Sequence, residues 1–321
     1  MSIVIEKSGL LTTVQDTGRI GYRRFGINPN GAMDATAVRL INILLGSDAS
    51  EAVLEMHFPA PQIEFETAAI IALGGANFGA TLDGEAIENW RPCFVEKNQT
   101  LNFTEKIFGN RAYLAVKGGF VIDEWLGSAS TNLTAKIGGF AGRSLQKNDR
   151  LFFNLKVENN NSEFSYKISE SLIPRYSSFP TIRVIAGAEL ERLTALSEQV
   201  FLKNDFTISL DSNRMGFRLK GEPLYLLDKT ELVSAAVDVG TIQLTPDGQM
   251  IILMADAQTS GGYPRVAHIV STDLPLAAQL GANDKIGFEL ISIQEAENLI
   301  IEFERDLNLL KIGVNSKNVF G

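Results

Sequence analysis

The chain has 321 residues, of which 45 % are hydrophobic and 21 % are charged, and its formal net charge is −9. This composition is typical of soluble globular proteins, and the length predicts two domains of roughly 100–200 residues each. The acidic balance argues against a nucleic-acid partner and against an anionic membrane surface. The first residues lack a signal-peptide pattern, and no apolar run reaches the roughly 18 residues of a membrane helix. We therefore expect a cytoplasmic protein with no membrane partner.

One cysteine and two histidines limit the chemistry. Cys93 cannot form an internal disulfide, and together with His57 and His268 it cannot form a zinc cluster, so we expect no metal site. The apolar neighbours of Cys93 predict a small buried hydrophobe. The alternation of apolar residues around His268 predicts a packed rather than a catalytic histidine.

Residues 26–34, GINPNGAMD, predict a turn that leads into a helix. Pro29 fixes φ near −65° and Gly31 tolerates positive φ. Asp34 precedes an apolar helical face and is predicted to be the N-cap, with Gly46 as the C′ stop. The face comprises Ala37, Leu40, Ile41, Leu44 and Leu45. A second helix is predicted near the C-terminus, with Ser292 and Glu295 as its capping box.

Most of the remaining sequence predicts short strands between Gly, Asn and Asp turns, as in AAIIALGG, RAYLAVKGG, TIRVIAG, FTISL and QMIILMADAQ. Strands at this spacing predict barrels or sandwiches rather than a doubly wound sheet. The pattern L-x-x-N-D-[RK]-[LI]-x-F occurs at 145–153 and again at 280–288. The polar stretch 156–180 between the two copies is the best linker candidate. We expect an N-terminal barrel-type domain at 1–165 and a C-terminal one, carrying the last helix, at 180–321.

Nucleotide and hydrolase motifs are missing from the sequence. It contains no G-x-x-x-x-G-K-[ST], no G-x-G-x-x-G after a strand and no G-x-S-x-G elbow. If the chain binds ATP, it therefore does so without a P-loop.

Three polar stretches carry more hydrogen-bonding side chains than a purely structural role requires. The first, TVQDTGRIGY, places Gln15, Asp16, Arg19 and Tyr22 around glycines. The second, DSNRMGFR, sets Arg214 beside Met215 and Gly216. A guanidinium there could bind a carboxylate or phosphate, but a surface salt bridge is the slightly favoured alternative.

The third polar stretch, DAQTSGGYP, follows the apolar strand QMIILM. It offers Gln258, Thr259 and Tyr263 on a loop made flexible by Gly261 and Gly262, which favours a binding function. Glu55 lies in the apolar AVLEM. This glutamate is either an edge-facing strand residue or a buried acid with a raised pKa, and the sequence leaves both open.

The segments TVQDTGRIGYRRFGINPNGAMD, SNRMGFRL and ADAQTSGGYP resemble signatures of the KipA/allophanate hydrolase subunit 2 family. The similarity covers about residues 3–295. It implies a mainly β fold with few helices, built from two cyclophilin-like β-barrel-type domains, and a companion protein of the KipI type.

The resemblance also implies a function. It points to one component of an ATP-dependent 5-oxoprolinase, which acts on 5-oxoproline together with a KipI-like component and a lactam-opening component of the same enzyme. Two alternatives remain open: a regulatory protein that antagonises a histidine-kinase inhibitor, and half of a biotin-dependent urea carboxyltransferase. The chain has no biotin-carrier AMKM and no amidase Ser-Ser-Lys pattern, so we expect no biotin attached to it.

Under this resemblance, Asp16 or Glu55 is the expected acid/base and Arg214 the expected catalytic cation. We expect loops of both domains to contribute to one site. The residues expected to bind substrate or nucleotide are Gln15, Arg19, Tyr22, Asn30, Gly31, Met33, Asp34, Asn77, Met215, Gly216, Gln258, Thr259, Gly261, Gly262 and Tyr263.

Overall fold

The computed structural model describes residues 1–154, 164–228 and 232–320. Contacts divide the chain into two compact units. The first comprises Met1–Arg19, Asn30–Pro174 and Glu304–Gly321, and the second comprises Ile20–Pro29 and Arg175–Phe303. The division into 1–165 and 180–321 remains a prediction; the contact-based units differ from it in assigning 20–29 to the second unit and 304–321 to the first. Residues 155–163, which overlap the predicted linker, lie outside the described residues.

The first unit contains two β-sheets and helix α1 (Ala35–Leu44). Its strands are β1 (Ser2–Lys7), β2 (Thr12–Gln15), β3 (Val53–Met56), β4 (Gln62–Phe65), β5 (Ala69–Asn77), β6 (Ala80–Leu82), β7 (Glu85–Ala86), β8 (Pro92–Val95), β9 (Thr100–Phe103), β10 (Phe108–Val116) and β11 (Arg150–Phe152). One sheet has the order β11-β1-β4-β9-β6-β7 and the other the order β2-β3-β10-β5-β8.

The core of the first unit lies between these two sheets. Inward-facing residues of both sheets form one buried cluster, which includes Ile3 and Phe65 from the six-stranded sheet and Leu54, Ile71 and Leu114 from the five-stranded one. Alternation along each strand places these side chains on one face. Cys93 packs against this cluster but is only partly buried, so the prediction of a buried residue holds in part; its burial raises the pKa of its thiol.

The second unit is built around a closed β-barrel. Its strands are β12 (Thr181–Ala186), β13 (Phe206–Ile208), β14 (Gly216–Lys220), β15 (Ala235–Ala236), β16 (Thr241–Leu244), β17 (Met250–Leu253), β18 (Ser260–Gly261), β19 (Arg265–Ile269) and β20 (Lys285–Leu290). Seven of them close the barrel in the order β12-β19-β16-β17-β14-β13-β20, and β15 and β18 form a separate pair. Within the barrel, β12 and β20 pair in parallel and the other neighbours are antiparallel.

Helices are few, as predicted. Besides α1 they are α2 (Ala195–Lys203), α3 (Leu274–Ala278) and α4 (Ile293–Phe320), with short 3-10 turns at Arg23–Phe25 and Leu190–Arg192. The mainly β class with barrel-type architecture is confirmed. In the parts of the chain that the structure describes, no helix is both long and apolar enough to cross a membrane.

The predicted helix signals are confirmed. Asp34 caps α1 by accepting a hydrogen bond from the Ala37 N–H at 2.9 Å, and Gly46 follows the helix with φ of 70°. At the start of α4, the Ser292 N–H donates to the Glu295 carboxylate at 2.8 Å and the Glu295 N–H donates to the Ser292 hydroxyl at 3.2 Å. This exchange is the capping box that the sequence predicts.

The repeated L-x-x-N-D segment forms the same turn in both units. Asn148 and Asn283 each have φ of 71°. The Asn148 N–H donates to the Ile5 carbonyl, and the Asn283 N–H donates to the equivalent carbonyl of Ile208. In each copy the aspartate carboxylate accepts the N–H of the residue three positions earlier, at 2.7 Å. The repeat is therefore structural and not a coincidence of sequence.

We predict that Asn148→Ala and Asn283→Ala each lower the free energy of unfolding by about 1 kcal/mol, because the short polar side chain of asparagine stabilises the left-handed region by local hydrogen bonding and alanine does not. Glycine at the same positions should leave the free energy of unfolding within about 0.5 kcal/mol of the wild type, since it adopts this φ freely. Urea unfolding of the four variants measures both effects. Alanine variants as stable as their glycine counterparts would refute this account of the turn.

Candidate functional site

Asp16 follows strand β2 and collects hydrogen bonds from a distant loop. Its carboxylate accepts the N–H of Gly18 at 2.7 Å and the N–H of Ala129 at 2.6 Å. It also accepts the hydroxyls of Ser128, at 2.8 Å, and of Ser130. Because all four partners donate, the buried carboxylate fastens the 128–130 loop to the end of β2.

Arg19 is fully buried and connects the same loop to two further segments. Its Nε donates to the Trp125 carbonyl at 3.2 Å, and its Nη2 donates to the Ser130 carbonyl. Its Nη1 donates to Asn30 Oδ1 at 3.2 Å, which also accepts the amide of Asn132 at 2.9 Å. The guanidinium lies 5.0 Å from the centre of the Trp125 ring. Arg19 therefore serves as a buried tie between loops.

Gln15 lies beside this cluster with an unsatisfied acceptor. Its amide nitrogen donates to the Thr13 hydroxyl at 3.1 Å and to the Thr131 carbonyl at 3.2 Å. Its Oε1 is buried and has no hydrogen-bond partner among the described residues. A buried acceptor without a donor costs about 1–3 kcal/mol, so it marks a position where a bound donor would be stabilising.

The loop at 30–34 lies directly against Asp16 and Gly18. The Ala32 N–H donates to the Asp16 carbonyl at 2.8 Å. Gly31 has φ of 91°, and a Cβ on it would lie 3.0 Å from the Gly18 nitrogen. Glycine is therefore required at position 31 both for its backbone angle and for this close approach.

A second buried cluster surrounds Glu55, which is only 1 % exposed. Of the two alternatives that the sequence leaves open, the buried acid is the one observed. Its Oε2 accepts the Met33 N–H and the Tyr113 hydroxyl, both at 2.8 Å. The Asp34 N–H donates to the same hydroxyl oxygen at 2.9 Å. Burial, and then the charges of Glu55 and Asp34, raise the pKa of Tyr113 well above its ordinary value, so the phenol stays a neutral donor.

In the second unit, Arg214 forms a buried bidentate ion pair with Asp256. Nε lies 3.0 Å from Oδ2 and Nη2 lies 2.9 Å from Oδ1. The Asp256 N–H donates to the Arg214 carbonyl at 2.8 Å, and the Asn28 amide donates to the Asp256 carbonyl at 2.9 Å. The alternative of a salt bridge is thus the one observed, although the pair is buried rather than at the surface. The role of Arg214 in catalysis stays a prediction.

The polar loop at 256–264 is held by its backbone. The Val237 N–H donates to the Thr259 carbonyl at 3.1 Å, and the Gln243 amide donates to the Tyr263 carbonyl at 3.3 Å. Ser260 and Gly261 pair with β15. The side chains of Gln258 and Tyr263 are exposed. The backbone contacts therefore fix the loop while these side chains remain accessible to a ligand.

The other predicted residues occupy separate positions. Asn77 ends β5, where its Oδ1 accepts the Gly79 N–H at 2.9 Å. Tyr22 precedes the 3-10 turn of the second unit, and Met215 is exposed just before β14, which begins at Gly216. Their binding roles, like those of the clustered residues, stay predictions.

The second unit also contains a cavity of about 340 Å³ that the sequence does not reveal. His268 lines this cavity and is partly buried. The sequence predicts that the histidine is packed, but it does not predict that one side of the ring borders a cavity. Burial is the main cause that lowers the pKa of His268, and the nearby Asp238 acts in the opposite direction. The polar residues of the lining are Arg23, Asp238, Thr241, Arg265 and His268.

Comparison with known proteins finds the same fold within a larger enzyme. The urea amidolyase of K. lactis matches 96 % of the chain with a TM-score of 0.89 and 26 % identity, and the chain spans 20 % of that protein's length. Residues 25–290 match the family described as carboxyltransferase domain, subdomain A and B. The chain belongs to this family, which confirms the resemblance identified from the sequence motifs.

Two bacterial relatives match over nearly their whole length, and both are C subunits of 5-oxoprolinase. The Haemophilus influenzae protein is 36 % identical over 95 % of this chain and 96 % of its own. The Escherichia coli protein is 38 % identical over 91 % of this chain and 92 % of its own. The chain is therefore similar to a separate 5-oxoprolinase component as well as to a segment of a larger enzyme.

We predict that Asp16→Asn lowers the free energy of unfolding by about 2–3 kcal/mol, because an amide accepts at one atom only and loses the charge-assisted bonds. Asp123→Asn, at an exposed position, is the control and should change it by less than about 0.5 kcal/mol. Urea unfolding provides the measurement. Wild-type stability of Asp16→Asn would show that the carboxylate does not hold the 128–130 loop.

We also predict a pH-dependent stability that involves His268. The pKa of His268 is lowered in the folded chain, so below about pH 6.5 the unfolded chain takes up the proton first. The free energy of unfolding therefore falls as the pH drops through this range and is retained above it. His268→Gln should remove this contribution, at most about 1.4 kcal/mol per pH unit. Urea unfolding at about pH 7.5 and about pH 5.5 measures the difference; equal losses in both proteins would contradict it.

Proposed function

We propose that this chain is the C subunit of an ATP-dependent 5-oxoprolinase. The complex would convert 5-oxo-L-proline, ATP and water into L-glutamate, ADP and phosphate, and its other two components would be a KipI-like protein and a lactam-opening protein. The observation that carries the proposal is the match to the 5-oxoprolinase C subunit of Haemophilus influenzae, with 36 % identity across 96 % of that protein. A match over nearly the full length of a separate enzyme component favours the same role here.

The reaction sets clear demands on the complex. An amide carbonyl is unreactive, and we propose that phosphoryl transfer from ATP activates it. The site then needs N–H or cationic donors for phosphate oxygens, and a general acid/base that transfers protons to and from water. Since this chain has no P-loop, its donors would come from the polar loops.

The 256–264 loop is the part of this chain best suited to bind the reactants. Its backbone is held by β15 and by Gln243, while Gln258 is exposed next to Gly261 and Gly262. We assign Arg214 a positioning role, because its ion pair with Asp256 holds the first residue of this loop. Donors placed on such a fixed backbone cost little reorganisation when charge develops on a substrate.

In the first unit, Glu55 is a better acid/base candidate than Asp16. The hydrogen bonds to Asp16 all come from Gly18 and the 128–130 loop, which favours a scaffolding role. Glu55 accepts a hydrogen bond from Tyr113, whose neutral phenol holds the carboxylate in a fixed orientation. Gln15, with its unsatisfied Oε1, is the residue here that would gain most from a substrate N–H.

A second candidate function is that of a carboxyltransferase half that uses carboxybiotin. The family description and the TM-score of 0.89 to a urea amidolyase favour it. The biotin would be carried by another chain, because this one has no AMKM. A KipA-type antagonist of a kinase inhibitor is the third alternative, and the assays described below separate all three.

We predict that the purified chain alone has no 5-oxoprolinase activity and that the complete three-component complex has ATP-coupled activity. Closing the site with partner proteins excludes water and strengthens electrostatic contacts. In the complex, Gln258→Ala should lower the rate about 10²–10³-fold, the scale of one lost preorganised donor. Formation of glutamate and of ADP measures the rate, and size-exclusion chromatography checks assembly.

The control for this prediction is Gln294→Ala, at an exposed position of α4, which should leave the rate unchanged. Full activity of Gln258→Ala, or turnover of 5-oxoproline by the lone chain, would overturn the assignment. A complex that lacks 5-oxoprolinase activity but carboxylates urea in the presence of carboxybiotin would support the second candidate. Tight binding of a KipI-like kinase inhibitor without turnover would support the third.

A further inference from the structure

The cavity of the second unit has the size and composition of a ligand site. Its volume of about 340 Å³ lies in the range of small-molecule pockets, roughly 300–1,000 Å³. Four segments form it: the 3-10 turn that carries Arg23, residues 187–188, residues 236–241 and strand β19. None of these residues is assigned to the reaction proposed above, so the following inference stands independently of it.

Arg265 lines the cavity, and two of its three guanidinium nitrogens are hydrogen-bonded to Glu189. Its Nε donates to Glu189 Oε2 at 3.0 Å and its Nη2 donates to Oε1 at 2.8 Å. Its backbone N–H also donates to Oε2 at 2.8 Å. These bonds fix the orientation of the guanidinium, and among the described residues Nη1 has no hydrogen-bond partner. Arg265 is therefore a preorganised donor for an anion.

His268 is the second residue of the cavity to which we assign a donor. The Thr241 hydroxyl lies 3.3 Å from Nδ1 and accepts the Asp238 N–H at 3.1 Å. We assign the hydroxyl hydrogen to Nδ1, because the described parts of the chain offer it no other acceptor. The neutral ring then carries its hydrogen on Nε2, which has no protein partner there.

The charges around the cavity disfavour a dianion more strongly than a monoanion. Arg23 is paired with Asp238, and Arg265 is paired with Glu189, so each guanidinium is balanced by one carboxylate. A ligand with two negative charges would meet no surplus positive charge and would approach Asp238 unfavourably. The Asp238 side chain is 54 % exposed, which leaves a carboxylate acceptor for a donor group of the ligand.

We propose that this cavity binds a small monocarboxylate that carries a hydrogen-bond donor beside its carboxylate group. Arg265 Nη1 and His268 Nε2 would bind the carboxylate, and Asp238 would accept the neighbouring donor.

The test uses the isolated full chain, because its two histidines give a simple imidazole spectrum. L-lactate, a monocarboxylate with an adjacent hydroxyl, is titrated to about 50 mM into ¹⁵N-labelled protein, a range set for millimolar affinity. The His268 ring signals should shift saturably while those of His57 stay in place. Propionate, which lacks the hydroxyl, should bind about fivefold more weakly, and inorganic phosphate should give no saturable shift.

A matched pair of variants tests the role of the guanidinium. Arg265→Lys keeps a charge for Glu189 but loses the planar fork, and should weaken lactate binding about tenfold. Arg183→Lys is the control, because Arg183 binds Asp273 through the same three groups, its backbone N–H, Nε and Nη2, and does not line the cavity. Its affinity for lactate should equal that of the wild type. Backbone amide spectra confirm that both variants are folded.

Three results would overturn the proposal. The first is the absence of a saturable shift of His268, and the second is a parallel shift of His57, which would indicate a general salt effect. The third is equal weakening by Arg183→Lys and Arg265→Lys. Equal affinities for lactate and propionate would overturn the part assigned to Asp238.

Discussion

The carboxylate of Asp16 is the contact on which the loop structure of the first unit depends. A buried carboxylate is costly unless donors surround it, and these donors come from Gly18 and from the distant residues 128–130. Once that loop is fixed, the Ser130 carbonyl is in place to accept Arg19. Arg19 in turn fixes Asn30, and through it the loop that leads to Asp34 and helix α1.

As a consequence, several polar residues of one short motif form their hydrogen bonds within the protein. Asp16 and Arg19 hold loops, and Asp34 caps a helix. Fewer hydrogen-bonding atoms of the motif are then left for a ligand, and one of them is the unsatisfied Oε1 of Gln15. The hydrogen-bonding side chains of this motif thus serve mainly to hold the fold together, and only a few of their atoms are left to bind a ligand.

Sequence reasoning succeeded where the chemistry is local. The Asp34 cap, the Ser292–Glu295 capping box and the aspartate hydrogen bonds of the two L-x-x-N-D turns each join residues within four positions, so residue type and spacing are sufficient. Partners distant in sequence could not be predicted in this way. The donor capacity of Arg214 is visible in the sequence, but its acceptor, Asp256, lies 42 positions away. The cavity around His268 is built from four segments, none of which carries a motif of its own.

The interleaving of the two units has a consequence for synthesis of the protein on the ribosome. The second unit needs Ile20–Pro29 as well as Arg175–Phe303, and the first unit includes residues from Glu304 onward. A nascent chain usually folds domain by domain, with the N-terminal domain first. Here the N-terminal unit still lacks its last segment when residue 303 has been added. Folding of the first unit therefore reaches completion only after the second has been translated.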